Sequence, residues 1–378
     1  MQLAIAAGLA VLVTTILLYL LLCVVLHAAI YVIVCLIRPA PEHMANFYDQ
    51  LAALLRAGAT PAEAVAALRS RALGYALRGA MREMEPGLTA GASLARQMSG
   101  HPWVFPPQDV GLIRAAELAG DWEGICGELE DSYARAYRGR HWVLVARVYY
   151  GILLSALVLA APTPWAAAQG LDWYLHLLFT TLLPGLVLLT VLYGLLRIAV
   201  VVLGGFPGPR AVRDRLVLLV PLLRGRERCT CALRFLRALL SMLQAGVEAA
   251  QAMHVAADSA GNVVLAAPIR RGAGELSRGV SVERVVATLP FLTRAQRGVL
   301  ATAFQAGRLE DGLRRLTEDA RESLAGKSGV LRLAGVGLMG LLMTLIVGAL
   351  FILGWLHVQG AIAEKTGAGD LWREIGGQ

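Results

Sequence analysis

The sequence predicts an all-α membrane protein, two homologous cytoplasmic helical-bundle domains plus about four transmembrane helices, and three observations predict it. The 378-residue chain is 57% hydrophobic and only 16% charged, with a mean hydropathy of +0.60, too apolar for an ordinary soluble protein and too charged to lie wholly in lipid. Its apolar residues gather in four long stretches. Between them lie two polar regions that repeat one another 188 positions apart.

Residues 3 to 37 contain no Asp, Glu, Lys or Arg, and no Gly or Pro beyond Gly8; one long helix is expected, since about 20 residues suffice to cross a bilayer. The stretch is too long, and lacks the basic start, for a cleavable signal peptide. A second span is expected from 142 to 161, where Arg147 is near enough to an end to snorkel out. The third covers 174 to 203, with Pro184-Gly185 as a kink and Arg197 near its cytoplasmic end, and the fourth covers 333 to 357. The segment "PTPWAAAQGLDWY" has no Lys or Arg, whereas Arg210, Arg213, Arg215, Arg224, Arg226, Arg228, Arg234 and Arg237 follow the third span. The positive-inside rule therefore puts the first outside and the second in the cytoplasm.

The expected division is thus a transmembrane helix at 1–41, a first cytoplasmic domain at 42–140, and two transmembrane helices at 141–203 with an external loop at 162–175. A linker and second cytoplasmic domain follow at 204–332, then a last transmembrane helix at 333–357 and an external tail at 358–378. The five cysteines supply no disulfide framework.

The repeat begins at "LAALLRAGATPAEAVAAL", which stops a helix at Ala57-Gly58 and restarts it at once. Thr60 and Glu63 have the spacing of a capping box, Pro61 suits the first helical position, and Gly58 takes the left-handed geometry cheaply. "LLSMLQAGVEAAQAMHVA" repeats the corner, matching Phe47 with Phe235, Leu51 with Leu239 and Gly58 with Gly246. Gly91-x-Ser93 meets Gly279-x-Ser281 and Pro102 meets Pro290; after a one-residue shift, Gly120 meets Gly307 and Glu123 meets Glu310. The apolar spacing is helical in both copies, Phe47, Leu51, Leu54 and Leu55 making one stripe and Phe235, Leu239, Met242 and Leu243 its twin. Gly and Pro punctuation divides each copy into five or six short helices.

These residues resemble the two-domain inner-membrane platform proteins of type II secretion and type IV pilus machines, the F family (GspF or PilC type). The resemblance is carried by "FYDQLAALLRAGATPAEAVAAL", by the later "GASLARQM" and following Pro, by "LIRAAELAGDWEGICGELED", and by "DRLVLLVPLLRGRERCTCALRFLRALLSMLQAGV", where Pro221 to Arg224, with Gly225 next, looks like the family's Pro-x-x-Gly lead into its second domain. The family's acidic Gly-Glu-x-Gly-Gly-like turn is similar to Ala116-Glu117-Leu118-Ala119-Gly120, but in copy two Phe304 stands where Glu117 does. Gly58, Gly120, Pro221, Gly246 and Gly307 are the expected structural motif positions.

The resemblance implies a non-enzymatic assembly platform in the bacterial inner (cytoplasmic) membrane, multi-pass. It would couple a cytoplasmic secretion or assembly ATPase to pilin or pseudopilin subunits, contact other inner-membrane secretion components and the lipid bilayer, and form a homo-oligomer. A membrane transporter or channel subunit is the alternative; against it, the only charges in the spans lie near their ends, whereas carriers place ionisable groups at mid-membrane.

No catalytic, cofactor or metal residues are expected. "AGKSG" at 325 to 329 has Arg321 where a phosphate-binding loop needs Gly, and "GVGLMG" at 335 to 340 has no preceding strand or following ribose-binding acid. Cys229-x-Cys231 has no second Cys or His pair near it. Nucleic-acid binding is not expected either, because the arginines cluster where topology requires them.

A charge asymmetry singles out one run of acids. Residues 42 to 140 hold 10 Lys and Arg against 12 Asp and Glu, while residues 210 to 332 hold 20 against 11. In copy one the acids concentrate at Glu117, Asp121, Glu123, Glu128, Glu130 and Asp131, with no Lys or Arg between 115 and 134. The spacing puts several on one helix face. Hard-cation sites usually add a tight oxygen-rich loop, so the expectation is a partner-binding surface for a basic face of the ATPase or of a neighbouring subunit.

Overall fold

In the computed structural model, residues 2–70, 74–160, 170–289 and 291–365 are described. All regular structure among them is helical. The chain forms two compact units, one from Val32–Gly139 with Ile198–Arg332, the other from residues up to Tyr31, Arg140–Arg197 and Leu333 onward.

The first, polar unit contains the repeat, and the duplication holds helix by helix. Copy one comprises α2 (Pro41–Arg56), α3 (Pro61–Arg69), α4 (Tyr75–Thr89), α5 (Leu94–Ser99), α6 (Pro107–Ala119) and the start of α7 (Trp122–Ala160). After α10 (Pro207–Leu219), copy two comprises α11 (Pro221–Gln244), α12 (Ala249–Ser259), α13 (Val263–Leu276), α14 (Val282–Ala287), α15 (Arg294–Gln305) and the start of α16 (Leu309–Lys365).

The opening corner has the expected local chemistry. Glu63 N–H donates to Thr60 Oγ1 at 3.3 Å and Thr60 N–H donates to Glu63 Oε2 at 2.8 Å. Gly58 has φ +89° and Gly246 φ +77°; Gly120 and Gly307, which end α6 and α15, have +71° and +67°. Copy two keeps the glycine but not the box, since Glu248 precedes α12 and caps nothing with its side chain. Pro221 takes the first position of α11. Pro290, the expected match of Pro102, lies outside the described residues.

The two copies share one hydrophobic core rather than closing a separate core each. Phe47 meets Phe105 at 5.7 Å within copy one and its repeat partner Phe235 meets Phe291 at 5.3 Å within copy two. What joins them is α6, which lies on α11 and α12 of copy two. Gly111 of α6 allows it: a Cβ there would stand 2.6 Å from the backbone at Asp258 and Ser259.

The second, apolar unit contains most of α1 (Gln2–Ile37), the one long helix expected, together with α8 (Leu171–Leu177), a π-helical turn at Leu178–Leu182 and most of α9 (Leu183–Leu203), whose residues from Ile198 belong to the polar unit. Pro184 has no N–H to offer the carbonyl of Thr180, and the wider π turn just before it accommodates the missing bond. Tyr19, Tyr174, Leu178 and Leu186 form a small buried cluster, while Leu188, Leu192, Leu195 and Leu196 point outward. A Cβ on Gly194 would meet Ile30 Cδ1, so glycine lets α1 and α9 approach closely. Among the described residues, two stretches, Leu17–Arg56 and Asp172–Leu203, are long and apolar enough to cross a membrane. The expected second and fourth spans are helical as parts of α7 and α16, which run unbroken past residues 141 and 333. Of the expected external loop, residues 161–169 lie outside the described residues, as does the tail from 366.

Candidate functional site: the junction between the copies

The acidic run is distributed over the ends and seams of helices. Glu117, near the end of α6, caps a neighbouring helix: its Oε1 accepts from the N–H of Leu94 at 2.5 Å and of Ala95 at 3.3 Å, and its Oε2 from Ser93 Oγ at 2.8 Å. A carboxylate at the first turn of α5 satisfies donors that the helix itself leaves open. Asp121 caps α7, its Oδ1 accepting from Gly124 N–H at 2.9 Å, and reaches copy two with Oδ2, which accepts from Ser241 Oγ at 2.9 Å and Arg237 Nη2 at 3.4 Å. A side chain at Gly124 would occupy the place of the Arg237 guanidinium.

Farther along α7, Glu128 is buried and accepts from Arg321 Nη2 of α16 at 2.6 Å and from Arg135 Nη2 at 3.1 Å. Asp131 joins the same cluster, 3.2 Å from Arg321 and 3.8 Å from Arg135. The hydrogen bond to Glu128 first, and then the negative charges of Glu128 and Asp131, hold the Arg321 guanidinium above its ordinary pKa against its partial burial. Glu123 pairs with Arg56 at 3.0 Å where both side chains are exposed, and Glu130 is half-buried. Copy one's acids therefore meet basic residues of copy two at Arg237 and Arg321, within the same chain.

Three features of this junction had no sequence signal. Asp109 on α6 is almost fully buried and its Oδ2 accepts from Tyr48 Oη at 3.0 Å and Tyr133 Oη at 2.5 Å. Burial raises the pKa of the Asp109 carboxyl, and the tyrosine hydrogen bonds and the nearby Arg234 oppose the rise. Both tyrosines are pushed well up by burial first and by the Asp109 charge second. In sequence, Asp109 reads only as an acid in a helix's first turn. Second, Asp258 bridges Arg114 of α6 at 3.3 Å and Arg270 of α13 at 2.8 Å. Third, a cavity of about 250 Å3 opens beside Gly111, lined by Arg114, Arg210, Asp258 and Arg270.

The motifs that imitate nucleotide sites have no such geometry. Both "AGKSG" and "GVGLMG" lie inside α16, where helical backbone offers no phosphate loop. Cys229 and Cys231 sit two apart on α11, a spacing that turns them to different sides of a helix, and burial pushes the Cys231 thiol up to about 12. Among the described residues, no three His, Cys, Asp or Glu side chains gather as a metal site.

The family model for the type II secretion system protein F matches this chain twice, over residues 47–163 and 235–356. Both matches begin at the paired phenylalanines, Phe47 and Phe235. The type IV pilus assembly protein PilC of Thermus thermophilus is 25% identical over 85% of this chain and 85% of its own length. The type II secretion system protein F of Pseudomonas aeruginosa is 24% identical over 80% of this chain and 78% of its own length, and that of Aeromonas hydrophila 24% identical over 74% and 76%. Matched over more than half its residues, in two copies that the fold also shows helix by helix, this chain belongs to the type II secretion system protein F family.

Proposed function

We propose that this protein is the membrane platform of a type II secretion or type IV pilus-like machine, coupling a cytoplasmic ATPase to the assembly of pilin or pseudopilin subunits, and that it is not itself an enzyme. The observation that carries the reading is the continuity of α7 and α16. Each copy's last helix runs without a break from the shared polar core into apolar sequence, 39 residues in one case and 57 in the other. In this reading the two helices are the covalent path by which the polar unit acts on the membrane-embedded segments. In this reading four segments cross the inner membrane, both copies lie in the cytoplasm, and the protein works as a homo-oligomer beside other inner-membrane components.

Docking of the ATPase is assigned to Glu123 and Glu130. Glu117, Asp121, Glu128 and Asp131 are held by buried or half-buried helix ends and arginines of the chain itself, whereas Glu123 pairs with Arg56 where both side chains are well exposed. Reversing Glu123 and Glu130 to Lys is expected to lower ATPase recovery in pull-downs at low salt without changing the melting temperature; equal recovery would remove the docking role. Topology is tested by alkaline phosphatase fusions, expected to be active within 162–175 and after 358 and silent at residues 90 and 270. Deletion of the gene should abolish secretion or piliation, and normal export without the protein would overturn the platform reading.

A further inference from the structure

α10 follows α9 after only three residues and is amphipathic in an unusual direction. Its inner side is pinned to both copies: Asp214, 2% exposed, accepts from Val263 N–H of copy two at 3.0 Å, Leu218 packs on the shared core, and Arg210 Nη2 donates to Gly261 O of copy two at 2.8 Å and to Gln108 Oε1 of copy one at 3.1 Å. These bonds fix the helix's rotation. The side left facing outward carries Val212, Leu216 and Leu219, at the i, i+4, i+7 spacing of one helix face, and Leu219 is 78% exposed. Arg213 and Arg215, both exposed, flank this stripe on its two sides. Val220 and Phe206 extend it at either end.

A second element meets the stripe where α9 ends. Trp103, from the segment between α5 and α6 of copy one, donates its indole N–H to the carbonyl of Val202 at 3.2 Å and packs edge-on against Phe206 at 5.9 Å. Gly205 makes room, since a Cβ there would stand 2.4 Å from the indole nitrogen. Single exposed apolar residues are ordinary, but here several form one face together with a Trp at the end of the apolar stretch Asp172–Leu203. An apolar stripe between arginines, continuous in sequence with a span and joined to an amphipathic aromatic, has the chemistry of a helix lying in the headgroup layer.

We infer that α10, with Phe206 and Trp103, is an interfacial anchor whose stripe Val212, Leu216 and Leu219 enters the surface of a bilayer while Arg215 meets lipid phosphates, Arg213 being held by Asp214 at 3.0 Å. The inference rests on the reading of Asp172–Leu203 as a membrane span. It gives copy two a fixed attachment to the bilayer at the point where the chain leaves it.

The test uses the full chain reconstituted in vesicles of phosphatidylethanolamine and phosphatidylglycerol, with a genetically encoded environment-sensitive fluorescent residue replacing Leu216, Leu192 or Arg226 in turn. All three positions are exposed, so none of the replacements removes a core side chain. Quenching is read with aqueous iodide, with a lipid carrying a nitroxide near the headgroup, and with one carrying it deep in the acyl chain. The label at 216 is expected to be quenched by the shallow nitroxide and to have an iodide quenching constant several-fold below that at 226. The label at 192 is expected to respond to the deep nitroxide. If 216 is as open to iodide as 226 while 192 responds to the deep nitroxide, the anchor is overturned and the span stands. If 216 is shielded from iodide and from both nitroxides, protein covers the stripe and the anchor is again overturned. Iodide quenching at 192 would overturn the span, and the anchor with it.

Discussion

Arg321 of α16 reaches across to Glu128 of α7 and donates a hydrogen bond of 2.6 Å to a carboxylate that is only 4% exposed. The pair links the last helix of copy one to the last helix of copy two, and these are the two helices that leave the polar unit for apolar sequence. It also departs from the repeat, because Arg315 occupies the position equivalent to Glu128 and Ala134 the position equivalent to Arg321. A buried carboxylate needs partners for its lone pairs, and here they come from one arginine on its own helix and one on its counterpart.

Replacing Arg321 by Met is therefore expected to destabilise the protein by about 1–2 kcal/mol, since Glu128 keeps Arg135 and the arginine is partly exposed. The measurement is thermal melting of the full chain in detergent, run as a double-mutant cycle with Glu128→Gln. A coupling of about 1 kcal/mol is expected for residues in direct contact. Additive effects would show that the pair does not hold α7 to α16.

Gly111 and Gly298 occupy equivalent positions in the two copies and should behave oppositely. A methyl group at Gly111 meets the backbone of Asp258 and Ser259 at 2.6 Å, whereas one at Gly298 meets nothing within 4 Å. Gly111→Ala should cost about 1–3 kcal/mol by forcing α6 away from α12. Gly298→Ala, in a helix interior, should be neutral or stabilising by up to about 1 kcal/mol. Equal melting temperatures for the two variants would contradict the close packing of α6 on copy two.

Gly58 and Gly246 test the backbone alone, because a Cβ at either finds open space and the positive φ is the whole penalty. Val at each position should lower stability by about 1 kcal/mol or more. Melting curves unchanged by both substitutions would remove the left-handed turn from the account.

Asp109 should impose a pH dependence of definite sign. Burial raises its pKa above the ordinary 3.8, so its contribution to stability is fully present below that value and is lost as pH rises through the higher folded value. Asparagine keeps an acceptor for Tyr48 and Tyr133 without the buried charge. The stability of Asp109→Asn relative to the native protein is expected to increase as pH is raised from about 3.8 toward neutrality. A difference constant across that range would mean the carboxyl titrates normally. Asp109→Leu should cost about 2 kcal/mol or more at any pH, because two buried hydroxyls lose their acceptor.

Local rules and duplication were legible in the sequence by itself. The corner at Gly58 to Glu63, the twin at Gly246, the helical stripe through Phe47 and Leu51, and the single helix at 2–37 each depend on residues a few positions apart, and the repeat made the pattern visible twice. The family resemblance drew on the same features. Tertiary structure decided where the acids go: Glu117 to the start of α5, Asp121 to Ser241 and Arg237, Glu128 to Arg321. Their spacing on α6 and α7 suggested an outward surface, but a carboxylate finds its partner in three dimensions, 120 residues away for Asp121 and 193 for Glu128. The fusion of the copies into one core was hidden for the same reason. It depends on Gly111 passing the backbone of α12, an approach set by which helices cross and not by the periodicity of either.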